Sequence, residues 1–100
     1  HCWPEAPASV AFLRSPHRHV FKVRCEFSVS HADRQLEFFM VQQAVNRLIQ
    51  AKLLPGLDLK PSQSCEMLAE ALFNDLRKTY TCLSVEVSED GENGAIVSAP

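Results

Sequence analysis

The chain is predicted to be a single α+β domain, an antiparallel four-stranded sheet with two helices packed on one side. Three observations carry that prediction. Long runs near either end alternate apolar and polar residues with the period of a strand, while two central runs repeat apolar residues every three or four positions, as helices do. With two shorter strand-like runs, the order is strand, strand, helix, helix, strand, strand, which suits one layer of sheet under one layer of helix. One hundred residues with 46% hydrophobic content suffice for one modest core. The domain is therefore expected to cover residues 1–100, with part of its first strand upstream of His1.

The first long strand is read from Val20 to Ser30. Phe21, Val23, Cys25, Phe27 and Val29 hold the odd positions and Lys22, Arg24, Glu26 and Ser28 the even ones, which gives one buried face. His17 and His19 are odd as well, so they belong to the apolar face at the strand's mouth. "SHADRQ" follows as a turn and "LEFFM" as a short second strand. From Val41 the apolar residues Val41, Ala44, Val45, Leu48, Ile49 and Leu53 recur at helical spacing, and Pro55-Gly56 stops that helix near Leu54. After the loop "GLDLKPSQS", Ser64 is a suitable N-cap, and Glu66 places a carboxylate at the positive end of the helix dipole. Met67, Leu68, Ala71, Leu72 and Leu76 are the expected buried stripe. "TCLSVEVSED" alternates again, with Leu83, Val85, Val87 and Glu89 in one register and Ser84, Glu86, Ser88 and Asp90 in the other. "GENG" is a turn and "AIVS" the closing strand.

Charge and cysteine usage narrow the partners. A net charge of −2 and a pI near 6.1, with no block of like charge, do not favour nucleic acid or anionic membrane. No apolar span reaches the roughly 18 residues that a transmembrane helix needs. Cys2, Cys25, Cys65 and Cys82 form no C-x-x-C pair and no short-spaced disulfide framework, which suits a reducing cytoplasm. Cys25 and Cys82 lie in strand runs, where a free cysteine acts as a small buried hydrophobe.

Two features bear on chemistry. In "HRH", His17 and His19 stand side by side on one face of a pleat, close enough to share an ion, although such a pair also ends ordinary hairpins. Zinc in a catalytic site takes three protein ligands and keeps a fourth position open. His1 is the third candidate, since a hairpin could return it beside the pair; His31 falls in a polar turn and is expected to face solvent. Glu89 is the second feature. A carboxylate on the apolar face of a strand is costly without donors to meet it, so either the strand has left the core at that point or the group awaits a ligand.

In combination these segments resemble the 6-pyruvoyl tetrahydropterin synthase and 6-carboxytetrahydropterin synthase family. "HRHVFKV" is similar to its H-G-H-x-[FY]-x-V segment, with Arg18 in place of glycine. "LEFFMVQQAV" is similar to its V-x-D-F passage, with Glu37 for the aspartate and Phe38 for the phenylalanine. "PSQSCEMLAEALFNDL" resembles its P-T-S-E-N-L-A helix start, with Ser64, Cys65 and Glu66 on T-S-E, and "VEVSED" resembles its closing V-x-V-x-E-T, with Glu89 on the glutamate. The four matches come in the family's order and span nearly the whole chain.

The resemblance implies a tunnelling fold, in which strands from three to six copies close a β-barrel with the helices outside. It implies a zinc ion held by His1, His17 and His19. It further implies that Glu89 grips the amidine-like N–C(–NH2)–N edge of a pterin or purine-like ring, helped by backbone groups at Ser64 and Cys65. The family's acid–base machinery is not matched. Leu13 stands where its cysteine base is expected, and Leu59 follows Asp58 where a histidine completes its aspartate–histidine pair. The expected function is therefore zinc and pterin- or purine-ring binding with the synthase reaction altered or lost, and no catalytic residue can be named. An altered lyase would draw its base from zinc-bound water or from Glu37. An active lyase acting on dihydroneopterin triphosphate with a displaced base, and a non-catalytic structural oligomer, are the alternatives.

Overall fold

The computed structural model describes residues 3–14, 20–53 and 64–100. After a 3-10 segment, Ala8–Arg14, come strand β1, Phe21–Phe27; helix α1, Phe38–Leu48, which widens into a π-helical turn over Ile49–Leu53; helix α2, Cys65–Leu76; and strands β2, Cys82–Glu89, and β3, Asn93–Ser98. The fold is α+β, and its sheet is antiparallel in the order β1-β2-β3. No helix among the described residues is long and apolar enough to cross a membrane.

The sheet has three strands among the described residues where four were expected. The difference lies in "LEFFM". Phe38, Phe39 and Met40 are the first turn of α1, because the Glu37 side chain caps that helix: its Oε2 accepts the Met40 amide at 2.9 Å. Once that donor is satisfied the backbone continues helically, and the Val41 amide reaches Glu37 O at 3.0 Å. The apolar stripe read for this helix, Val41, Ala44, Val45, Leu48 and Ile49, is its half-buried face. Pro55-Gly56, read as its stop, lies outside the described residues.

Helix α2 begins as expected. Ser64 has extended backbone, and its hydroxyl accepts the Met67 amide at 3.2 Å. Its buried stripe, however, is rotated from the predicted one. Cys65, Ala69, Leu72, Phe73 and Leu76 are buried, whereas Met67 is 54% exposed. Two small residues at the start of that stripe let the helix approach the sheet, and Phe73 supplies the bulk further along. The helix lies over β2 and β3, where Leu72, Leu76, Val85 and Val87 are the largest side chains fully removed from water. Burying each such side chain contributes about 1.5–3 kcal/mol.

Alternation in β1 is as predicted, with Val23, Cys25 and Phe27 half-buried, but the strand stops at Phe27. Phe27 packs edge-on against Tyr80 with ring centroids 5.2 Å apart. In β2 the predicted register holds for Val85 and Val87 and fails for Leu83. A bulge opposite Glu26 and Phe27 places Cys82 on the core face and leaves Leu83 44% exposed. Val85 pairs with Cys25 and Val97, and Val87 with Val23 and Ala95, so the three strands share one apolar face.

Candidate functional site

Glu89 is the last residue of β2, and the alternation that buries Val85 and Val87 carries its side chain to the same face of the sheet. It is half-buried, so the carboxylate has neither fully left the core nor entered it. Its neighbours follow from the register: Phe21 stands opposite on β1 and Asn93 opposite on β3.

Helix α2 packs on β2 and β3, and its C-terminal end leads through a short connection into Cys82. The positive charge of Arg77 favours the Cys82 thiolate, while the negative charge of Glu89, after burial itself, pushes the Cys65 thiol above its ordinary value, with Glu66 adding to it. The charge of Glu89 is thus felt at Cys65, in the first turn of α2, where the helix dipole favours an anion. Ser64 and Cys65, at the start of α2, and Glu89, at the end of β2, are the residues that the resemblance assigns to one ring-binding site. The Ser64 hydroxyl is engaged in its cap.

The chain enters that same end beside Glu89. The Val20 amide donates to Asp90 Oδ1 at 2.9 Å, and the Asp90 amide donates to Val20 O at 2.7 Å. Val20 is the residue after His19, and Asp90 the residue after Glu89.

The expected zinc ligands His1, His17 and His19 lie outside the described residues, as do Cys2, Asp58 and Leu59. Among the described residues no group of three or more His, Cys, Asp or Glu side chains could hold a metal ion. His31 is exposed, as expected, and its Nδ1 accepts the Asp33 amide at 3.3 Å, which ties it into its own turn. Leu13 is half-buried, and its carbonyl accepts the Trp3 amide.

None of the described cysteines is disposed to act as a thiolate. Cys25 is pushed up from 9.0 to about 11, first by burial and then by Cys82. Cys82 and Cys65 are raised too, each chiefly by burial. All three stay protonated near neutral pH, the state of a packing thiol.

Phe21 and Asn93 are the neighbours of Glu89 that the sequence did not single out. Asn93 could have been found from the hairpin, since a three-residue connection, Asp90-Gly91-Glu92, makes Glu89 and Asn93 partners. The pairing of Phe21 with Glu89 joins residues 68 apart in the chain, and no local signal encodes that register. Comparison with models of known families, with characterised proteins and with solved structures finds no match for this chain.

Proposed function

We propose that the protein is a divergent relative of the 6-pyruvoyl tetrahydropterin synthases that binds zinc and a pterin- or purine-like ring, with the usual synthase reaction altered or lost. One observation supports the ring-binding part most directly. Glu89 ends β2 next to the Val20–Asp90 pairing, and its charge is felt at Cys65 in the first turn of α2, although these segments are far apart in sequence. A half-buried carboxylate can accept two parallel N–H bonds from an N–C(–NH2)–N edge, and the start of α2 offers donors to the oxygen beside that edge. Three imidazoles, from His1, His17 and His19, are a donor set suited to zinc with a fourth position left open. When bound, the ion would polarise oxygen substituents of the ligand.

The thiols bear on the reaction. A proton-abstracting cysteine has to be a thiolate at working pH, and Cys25, Cys65 and Cys82 are all held in the neutral form. Leu13 offers no ionisable group in place of the family's base. The barrel belongs to the same proposal: β1 and β3 are the two edges of the described sheet, and pairing them between copies would close it.

The test is binding, metal content and turnover on one preparation. Pterin and guanosine are expected to bind the wild-type protein and to lose affinity at least tenfold in Glu89→Ala. Stoichiometric zinc is expected to be lost in both His17→Ala and His19→Ala, and dihydroneopterin triphosphate is expected to remain unconverted. Absence of both metal and ring binding would leave the structural oligomer as the better reading, and clear turnover would restore an active lyase.

A further inference from the structure

The apolar layer of the domain is closed on one side and open on the other. Over β2 and β3, α2 helps remove Leu72, Leu76, Val85 and Val87 fully from water, whereas no residue of α1 is buried. Between β1 and α1 runs a cleft whose apolar walls are Val23, Cys25 and Phe27 on the strand and Val41, Val45 and Ile49 on the helical side. All six are half-buried, as two faces a short distance apart would be. Such a gap takes an extended alkyl chain, whereas a helix, about 10–12 Å across with its side chains, needs more room. The volume of the cleft, about 1150 Å³, is just above the roughly 300–1,000 Å³ of ordinary small-molecule sites, which suits a long ligand.

One end of the cleft is basic. There the chain turns from β1 into α1, and His31 and Arg34 line the opening. His31 Nδ1 accepts the Asp33 amide, so the neutral ring carries its hydrogen on Nε2 and keeps a donor for a ligand. Arg34 pairs with Asp33 at 3.1 Å, but both side chains are at least 80% exposed, and so exposed a pair yields readily to a competing anion. Arg24 also borders the cleft and makes no ion pair among the described residues. Glu37 is the one acid on the described walls, and its Oε2 is committed to the Met40 amide. In a chain of net charge −2, this surface favours an anion.

We propose that the cleft between β1 and α1 binds a fatty acid, with the alkyl chain between the apolar walls and the carboxylate held by Arg34 and His31. Glu89 is not among the walls, so this site and the ring site stand or fall separately.

The experiment titrates dodecanoate, hexanoate, dodecanol and dodecylamine into the full chain, below micelle-forming concentrations, by displacement of a fluorescent fatty acid. Dodecanoate is expected to bind. Each buried methylene contributes about fourfold in affinity, so hexanoate, half the length, is expected to bind more than about a hundredfold more weakly. Dodecanol lacks the charged acceptor and is expected to be about tenfold weaker than dodecanoate, and dodecylamine weaker still. Arg34→Ala, at an exposed position, should weaken dodecanoate about tenfold and leave dodecanol unchanged. Val45→Trp, which fills the cleft, should weaken both about tenfold or more, with thermal unfolding confirming that each variant is folded. Absence of dodecanoate binding overturns the proposal. So does equal affinity for dodecanoate and dodecanol, or wild-type binding of dodecanoate by Arg34→Ala or by folded Val45→Trp. Sedimentation with phosphatidylserine vesicles without dodecanoate binding would assign the surface to a membrane and overturn it as well.

Discussion

Asp90 and Val20 exchange two hydrogen bonds at the end of the sheet. The Val20 amide donates to the Asp90 carboxylate at 2.9 Å, and the Asp90 amide donates to the Val20 carbonyl at 2.7 Å. Asp90 does this from the left-handed region, at φ 57, where aspartate and asparagine are tolerated better than most residues. The two partners sit 70 residues apart, so the clamp joins the entrance of β1 to the exit of β2 at the point where Glu89 is carried.

Asp90→Ala removes the acceptor and keeps a Cβ in the left-handed region, and a loss of about 1–2 kcal/mol is expected. Asp90→Asn retains both an acceptor and the tolerance of positive φ and should stay within about 0.5 kcal/mol of wild type. Asp90→Gly relieves the strain but not the lost bond and should fall between them. Urea unfolding at fixed protein concentration measures all three; equal midpoints for Asp90→Ala and wild type would show that the clamp carries no stability.

Glu37 separates a structural from a chemical role. Its carboxylate accepts the Met40 amide as the N-cap of α1, and a glutamine can accept the same bond. Glu37→Gln is therefore expected to keep the wild-type unfolding midpoint and ring affinity, while Glu37→Ala loses about 0.5–1 kcal/mol. Should any turnover be found, a Glu37→Gln variant that is stable but inactive would assign the residue to proton transfer instead of capping.

This residue also shows where sequence patterning reached its limit. "LEFFM" is apolar enough for a strand and too short for a helical period to declare itself, so only the cap decides between them, and glutamate is a less usual cap than Ser, Thr, Asp or Asn. At α2, Ser64 is an ordinary cap and the helix start was legible, but the stripe was not. Apolar residues occupy nearly every face of "CEMLAEALFNDL", and the choice of Phe73 over Met67 for the interior was made by the sheet beneath. The alternation of β1 and β2 put Phe21 and Glu89 on their proper faces. What no local pattern contains is the bulge beside Cys82 and the long-range register that sets those two residues against each other.

Gly94 is fixed by close approach. It pairs with Ser88, and a Cβ built there would lie 2.7 Å from Ser88 Cα and closer still to the Val87 carbonyl oxygen. Both obstacles are backbone of the central strand, which cannot turn aside as a side chain can. Gly94→Ala is expected to cost about 1–3 kcal/mol, as overpacking of a closed site does, and to weaken protection of β3 amides in hydrogen exchange. An unchanged midpoint together with unchanged β3 protection would show that the hairpin relaxes freely.

The thiols on the core face give the protein a dependence on alkaline pH. Cys25 moves from 9.0 to about 11 because burial in the core face disfavours its thiolate, and Cys82 beside it adds to the effect. In the unfolded chain the same thiol loses its proton near 9, so between about 9 and 11 the native state holds more protons than the unfolded one. Stability from this group is therefore fully present below about pH 9 and declines as the pH rises toward 11. Other groups titrate in that range, which makes the difference from Cys25→Val the useful quantity: wild type should lose stability faster than the variant across that window and run parallel to it below pH 8.5. In a Cys2→Ser background, the three remaining thiols should react slowly with a disulfide reagent at pH 7.5 and fully only in denaturant. Parallel curves through pH 11, or rapid native labelling of Cys25, would show that this face of the sheet is open to water.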